Sequence, residues 1–392
     1  MIDIARVRRE TPACARMIHF NNAGASLMPE PVFEAVAGHL RLECEIGGYE
    51  AEDRAKPELD DWYAALGELL NCRHDELACV EDATRAWDMA FYAIPFQDGD
   101  RIITAEAEYA SNYIAFLHLQ KRKGVRIDVV PSDGHGQLDV DALERMVRDG
   151  GAKLIAITHV PTQSGLINPA AAVGRIAREH GILYLLDACQ SVGQMPVDVA
   201  AIQCDMLSGT GRKFLRGPRG TGFLYVRKAI LDRLEPPFLD LHAATWTAAN
   251  AYDVRPGAQR FENWETFVAG RVGLRAAVRY ALELGLPAIR ERVDGLAAEL
   301  RASLAAVPGV AVHDRGKELC GIVSFTRAGE DSEALKRRLG QTRINTTTST
   351  AASSRLDRGW QSHGPIVRAS VHYYNTSQEI ARFAAVVGGA TG

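Results

Sequence analysis

Lys213 stands in the stretch DMLSGTGRKFLRGPRGTGFLYV, residues 205–226, flanked by Gly209, Gly211, Gly217 and Gly220. A lysine amine adds to aldehydes to give a Schiff base. Glycine on either side lets another group come close to the backbone, whether a polypeptide segment or a bound molecule. A second reactive position ends the run LYLLDACQ, with Asp187 and, three residues on, Gln190. A carboxylate at the end of a buried strand is costly without a partner, and a protonated ring nitrogen would serve. An aspartate there also suits the cap of a following helix. THVPTQSG brings His159 and Thr162 to the same edge, where an imidazole could cover a ring, move protons or simply be a satisfied structural group. In CVEDATRAWDMAF, Ala83 and Thr84 precede renewed helical periodicity. Backbone N–H groups at a helix start, with the Thr84 hydroxyl, form a phosphate seat that Thr210 and Arg212 could share, although threonine also caps many helices.

These residues need a scaffold that converges them. Between residues 70 and 230, short apolar runs alternate with helical patterns, which predicts a mostly parallel sheet with covering helices. RIITA (101–105), VRIDVV (125–130), KLIAITHV (153–160) and ILYLLDA (182–188) read as buried strands, and Gly222 to Val226 as another. LDVDALERMVRD and PAAAVGRIAREHG read as helices, the latter opened by Pro169 and closed by Gly181. In an open α/β sheet the ligand crevice lies beyond the carboxyl ends of the strands, where Asp187, His159 and Thr162 fall. After about residue 260 come long helical stretches, then GIVSFTR (321–327), IVRASVHYY (366–374) and a final helix from Ser377. The 250–262 segment reads as a loop-like boundary. The division is a large α/β unit, 18–258, and a smaller α+β unit made of 1–17 and 259–392. A lysine on a glycine-rich turn, an acid for a pyridinium and a phosphate seat together meet the needs of pyridoxal 5'-phosphate (PLP).

Composition removes several alternatives. Hydrophobic residues make up 47% and charged residues 24% of 392, the balance of a globular protein. A net charge of -4 offers no general attraction to nucleic acid or anionic lipid. No apolar run is long enough to span a membrane, and the start lacks the pattern of a signal peptide, so a cytoplasmic location is expected. Seven scattered cysteines form no CxxC pair and no metal-type spacing, so no metal site is expected.

The ordered motifs NNAGAS (21–26), DATRA (82–86), AEYASN (107–112), THVPTQSG (158–165), DACQSVG (187–193), SGTGRKFLRGPRGTGFLYV (208–226), RFENWE (260–265) and RASVHYYNT (368–376) resemble the class V aminotransferase family of fold type I PLP enzymes, over nearly the whole chain. The resemblance implies that Lys213 holds PLP and moves the substrate proton, that Asp187 meets the ring nitrogen, and that Gln190 lies near the phenolic oxygen. It implies phosphate binding by Ala83, Thr84, Thr210 and Arg212, and an α-carboxylate contact at Arg368, suited to a bidentate donor. Thr162 joins the cofactor set and His159 the catalytic one. It further implies a homodimer with the active site at the subunit contact, within reach of the 260–266 turn.

Departures from cysteine desulfurases, a branch of this family, shape the expected activity. Those enzymes carry a nucleophilic cysteine shortly before the RAS strand, whereas INTTTSTAASSRLDRGWQSHG has none. Their EHHAN segment places a histidine over the ring; EYASN offers Tyr109, preferred over His159 as the stacking residue. KFLRGPRGTG and LECEIGGYEAED resemble the isopenicillin N epimerase-like and ergothioneine carbon-sulfur lyase branches, and the latter segment puts Tyr49 near the substrate mouth with Asn22 and Ala23. Trp264 and Glu265 could receive a cationic substrate group or pack an interface. The expectation is β-elimination from a cysteine S-conjugate. Transamination, epimerisation or decarboxylation of an amino acid is the alternative, and desulfuration is disfavoured for want of the loop thiol.

Overall fold

The computed structural model describes residues 2–361 and 363–390. Its centre is a seven-stranded sheet in the order Leu77–Val80, Gly222–Val226, Met206–Thr210, Leu183–Asp187, Ala152–Thr158, Arg101–Ala105, Arg126–Val130. Gly222–Val226 runs antiparallel to both neighbours, and the remaining pairs are parallel. The four apolar runs read as strands all form strands, within two residues of the bounds read from the sequence. Alternate residues of each strand enter opposite cores. Ile103, Ile155, Ile157, Leu186 and Leu207 face one apolar cluster, and Ile102, Leu154, Ala156, Leu185 and Met206 face the other. Burial on both faces makes these strands continuous apolar runs.

Four strands, Val310–Val312, Ile322–Arg327, Ile366–Ser370 and Thr347–Ser349, form a second, antiparallel sheet. Helices Leu286–Ala305, Ser332–Gln341 and Ser377–Gly388 pack with it, while Val268–Leu284 packs on Glu30–Ile46 and Lys56–Leu70. IVRASVHYY does not continue as a strand through Tyr374. It stops at Ser370, because His372 donates its backbone N–H to Asn375 Oδ1 and Asn375 donates back to the His372 carbonyl, closing a turn. The 250–262 segment is also more ordered than a loop. Ala251–Val254 pairs with Ala244–Ala248 as an antiparallel hairpin, followed by a 3-10 turn at Ala258–Phe261. Both hairpin strands are largely exposed, so they lack the apolar alternation that marks a half-buried strand.

The glycines around Lys213 are required by the polypeptide itself. A Cβ at Gly209 would lie 2.1 Å from the Phe223 ring, and one at Gly211 would lie 2.3 Å from Thr221 Oγ1. The turn folds onto its neighbours and is then fastened by Arg216, which is buried and donates to Leu27 O (2.8 Å), Tyr373 Oη (2.8 Å) and Thr11 Oγ1 (2.6 Å). Its guanidinium lies 4.6 Å from the centroid of the Tyr374 ring. Arg216→Met would leave these buried acceptors unpaired, and the expected loss is about 3–5 kcal/mol of stability, read as a lower urea midpoint.

Candidate active site

At the carboxyl ends of Ala152–Thr158, Leu183–Asp187 and Met206–Thr210 lies a cavity of about 280 Å³. Ala83, Thr84, Tyr109, Thr162, Asp187, Gln190, Thr210, Arg212 and Lys213 all line it. The structure therefore brings together every cofactor-binding residue inferred from the sequence. Asp82, Thr158, Val160, Cys189, Arg219 and Gly220 complete the wall. A larger hollow of about 930 Å³, bordered by Lys56, Tyr63, His242 and Arg271, contains none of these groups.

Asp187 ends its strand with the carboxylate fixed from two sides: Asn112 Nδ2 donates to Oδ2 at 3.0 Å and the Cys189 N–H donates to Oδ1 at 3.0 Å. Its free edge faces the cavity that also receives Lys213. Burial lowers the Lys213 amine below the usual lysine range, and Cys189 and Asp187 only partly oppose the shift. A larger fraction of neutral amine is the form that attacks a carbonyl carbon. At the other end of the cavity, Ala83 begins the helix Ala83–Tyr92, whose Asp82 cap accepts the Arg85 N–H at 2.9 Å. That cap leaves the first N–H groups of the helix turned toward the cavity end that Thr210 and Arg212 also line.

Gln190 donates to the Ala23 carbonyl at 3.0 Å and to Thr162 Oγ1 at 3.2 Å, while its Oε1 is buried without a partner. Arg368 donates through Nη1 to the Thr162 carbonyl at 2.8 Å, and its Nε is likewise buried and unpartnered. Burial, then the nearby Arg212 cation, pushes the Arg368 guanidinium down to about 10. Orphaned buried polar atoms of this kind call for a ligand. PLP suits the donor set: phosphate at Ala83, Thr84, Thr210 and Arg212, ring nitrogen at Asp187, aldehyde at Lys213.

His159 is not among these groups. Thr158 and Val160 line the cavity, but His159, just past the end of the strand, does not. Its imidazole borders a separate hollow with Met195 and Arg290. Burial and then the Arg290 charge depress it to about 4, so it stays neutral and lies outside the cofactor cavity. Asn22 is also withdrawn: its amide donates to the Ser370 carbonyl at 2.7 Å and its Oδ1 accepts from Tyr374 Oη. Ala23 touches the wall only through Gln190. Tyr49, Trp264 and Glu265 are exposed and do not line this cavity. Asn112, Thr158 and Cys189 were not identified as site residues from the sequence. Asn112 and Cys189 sit inside motifs already singled out, AEYASN and DACQSVG, but their orientation depends on packing between strand and helix.

The Aminotransferase class-V family profile matches residues 18–383. The chain belongs to that family. This class V enzyme is 29% identical over 380 residues to a probable cysteine desulfurase of Methanothermobacter thermautotrophicus, covering 95% of the chain and 94% of the relative. It is 30% identical over 402 residues to a probable cysteine desulfurase of Xylella fastidiosa, covering 98% and 95%. The apo structure of the cysteine desulfurase from Thermococcus onnurineus NA1 superposes with a TM-score of 0.90 at 26% identity, covering 99% of this chain and 98% of that one. The enzyme is thus a PLP-dependent member of fold type I. These full-length relatives, named as cysteine desulfurases, overturn the expectation of β-elimination from a cysteine S-conjugate. Among the described residues no helix is long and apolar enough to cross a membrane, and no cluster of three or more His, Cys, Asp or Glu could hold a metal. Borohydride reduction of the PLP-loaded enzyme is expected to fix the cofactor to the peptide containing Lys213, and Lys213→Ala to abolish that adduct by mass spectrometry.

Proposed function

We propose that this class V enzyme removes sulfur from L-cysteine, leaving alanine. The observation that carries the reading is the coincidence of full-length similarity to cysteine desulfurases with a cavity that Lys213 and Asp187 share, while Arg368, outside its lining, is hydrogen-bonded to the lining residue Thr162. PLP, when bound, supplies the electron sink that weakens bonds at the substrate α-carbon. Arg368 is placed to hold the α-carboxylate: Thr162 anchors its Nη1, and the unpartnered Nε is left free to donate. The Lys213 amine, displaced when the substrate amine takes its position, carries the α-proton. Tyr109 supplies an aromatic wall, and Gln190 offers the contact near the phenolic oxygen.

The sulfur acceptor has to come from elsewhere than the 345–365 stretch, which contains no cysteine. Cys189 lines the cavity, but burial and then the Asp187 charge push its thiol well above the usual range, which withholds the thiolate that would attack sulfur. A small thiol from solution fulfils the role. Its sulfur bonds to the cysteine sulfur, the Cβ–Sγ bond breaks, Cβ takes a proton, and a persulfide leaves with alanine as co-product. Incubation with L-cysteine and dithiothreitol is expected to yield alanine and sulfide, and formation of pyruvate without alanine would overturn the assignment. Arg368→Ala removes a charge-assisted hydrogen bond of about 1.5–3 kcal/mol, so KM for cysteine is expected to rise roughly 10–100-fold.

A homodimer belongs to the same reading. Leu241, Trp246 and Tyr252, on and beside the hairpin, are 74%, 71% and 57% exposed. Apolar side chains gathered in this way suit burial against a second copy. In that arrangement Trp264 and Glu265 serve the neighbouring cavity. The division into 18–258 and 1–17 with 259–392, and a cytoplasmic location, complete the proposal. Light scattering is expected to give twice the chain mass, and Trp246→Glu to shift it toward the monomer.

A further inference from the structure

Behind Asp187 lies a second buried acid that the proposed reaction does not use. Glu108 is 3% exposed and directly precedes the start of the helix Ala110–Lys123. Its Oε1 accepts from the Tyr109 N–H at 2.8 Å, from Asn112 Nδ2 at 2.9 Å and from the Thr158 hydroxyl, and its Oε2 accepts from the Thr104 hydroxyl at 2.9 Å. Asn112 spends its two amide hydrogens on two acids, one on Glu108 and one on Asp187 Oδ2. Neither carboxyl forms an ion pair among the described residues. Four donors and no cation around a buried carboxyl amount to a polar network closed in every direction except through Asp187, toward the cavity.

We propose that Glu108 is a positioning residue for the cofactor: through the Asn112 amide its carboxyl orients Asp187 and adds negative charge behind it, strengthening the hold on the PLP ring nitrogen. A purely structural role would need only the helix-start contact at the Tyr109 N–H, which a short polar side chain provides without a second buried acid. The two threonines come from neighbouring strands of the sheet, Thr104 from Arg101–Ala105 and Thr158 from the strand registered beside Asp187. The network is therefore built into the cavity floor rather than the helix surface.

Burial raises the Glu108 carboxyl to about 7, against the lowering contributed by its Thr158 and Asn112 hydrogen bonds, with Asp187 adding to the rise. The other titratable groups around the pair are Tyr184 on the Asp187 strand, which senses the Glu108 charge, Tyr109 beside it, and Cys189, Lys213 and His159, which sense the Asp187 charge. At low pH a protonated Glu108 resembles glutamine, and its negative charge develops as pH rises through neutrality. The inference extends the PLP assignment and is tested by cofactor affinity, independently of turnover.

Apo-enzyme is titrated with PLP from pH 6 to pH 8.5 in wild type and Glu108→Gln. The expected result is near-equal affinity at the acid end and a wild-type advantage growing to about tenfold at the alkaline end. A ratio that stays at one, or that stays constant across pH, overturns the proposal, and wild-type protein that takes up no PLP overturns the cofactor assignment with it. Thr104→Val keeps the acid and removes one donor, so it provides the test should Glu108→Gln not fold. The rise in affinity with pH is then expected to move upward, and an unmoved profile overturns the proposal.

Discussion

An amine and a carboxylate are held together in one half-buried crevice, and the surrounding structure exists to make that tolerable. Lys213 responds by losing part of its hold on the proton, and Asp187 is compensated by an amide and a backbone N–H rather than by a neighbouring cation. Such an arrangement is incomplete without a bound group that supplies positive charge on one side and an aldehyde on the other. The sheet provides the convergence, because parallel strands end at the same level and present their last residues to a shared space.

Much of this was legible in the chain. The central strands could be read because both faces are buried, which turns each into an unbroken apolar run. The cradle could be read because Lys213, Asp187, Thr84 and Arg212 are chemically distinctive and fall at predictable strand and helix ends. His159 was misplaced for a simple reason: it sits just past the end of the Ala152–Thr158 strand, where the direction of its side chain is set by packing against Met195 and Arg290 rather than by the motif. The exposed hairpin at 244–254 carried no apolar alternation to reveal it. Asn22 looked available in a motif, yet its amide is consumed by Ser370 and Tyr374, residues about 350 positions away. Hydrogen bonds over that separation leave no local trace.

Arg368 shows how the two sheets share one site. Its backbone pairs with Ser324 and Thr347 in the smaller sheet, while its guanidinium reaches Thr162, beyond the end of a large-sheet strand. A carboxylate gripped by this side chain would therefore be sensed by both sheets. The nearby Arg212 makes the position unfavourable for a lone cation.

The Arg216 clamp has a bearing on biosynthesis. The loop that carries Lys213 is tied to Thr11 near the start of the chain and to Tyr373 near its end, across sequence separations of 205 and 157 residues. During translation the lysine is made well before the tyrosine that fastens its loop has left the ribosome. The loop is therefore fastened in full only once position 373 has been made, so the seat of Lys213 depends on contacts that form long after the lysine itself is synthesised.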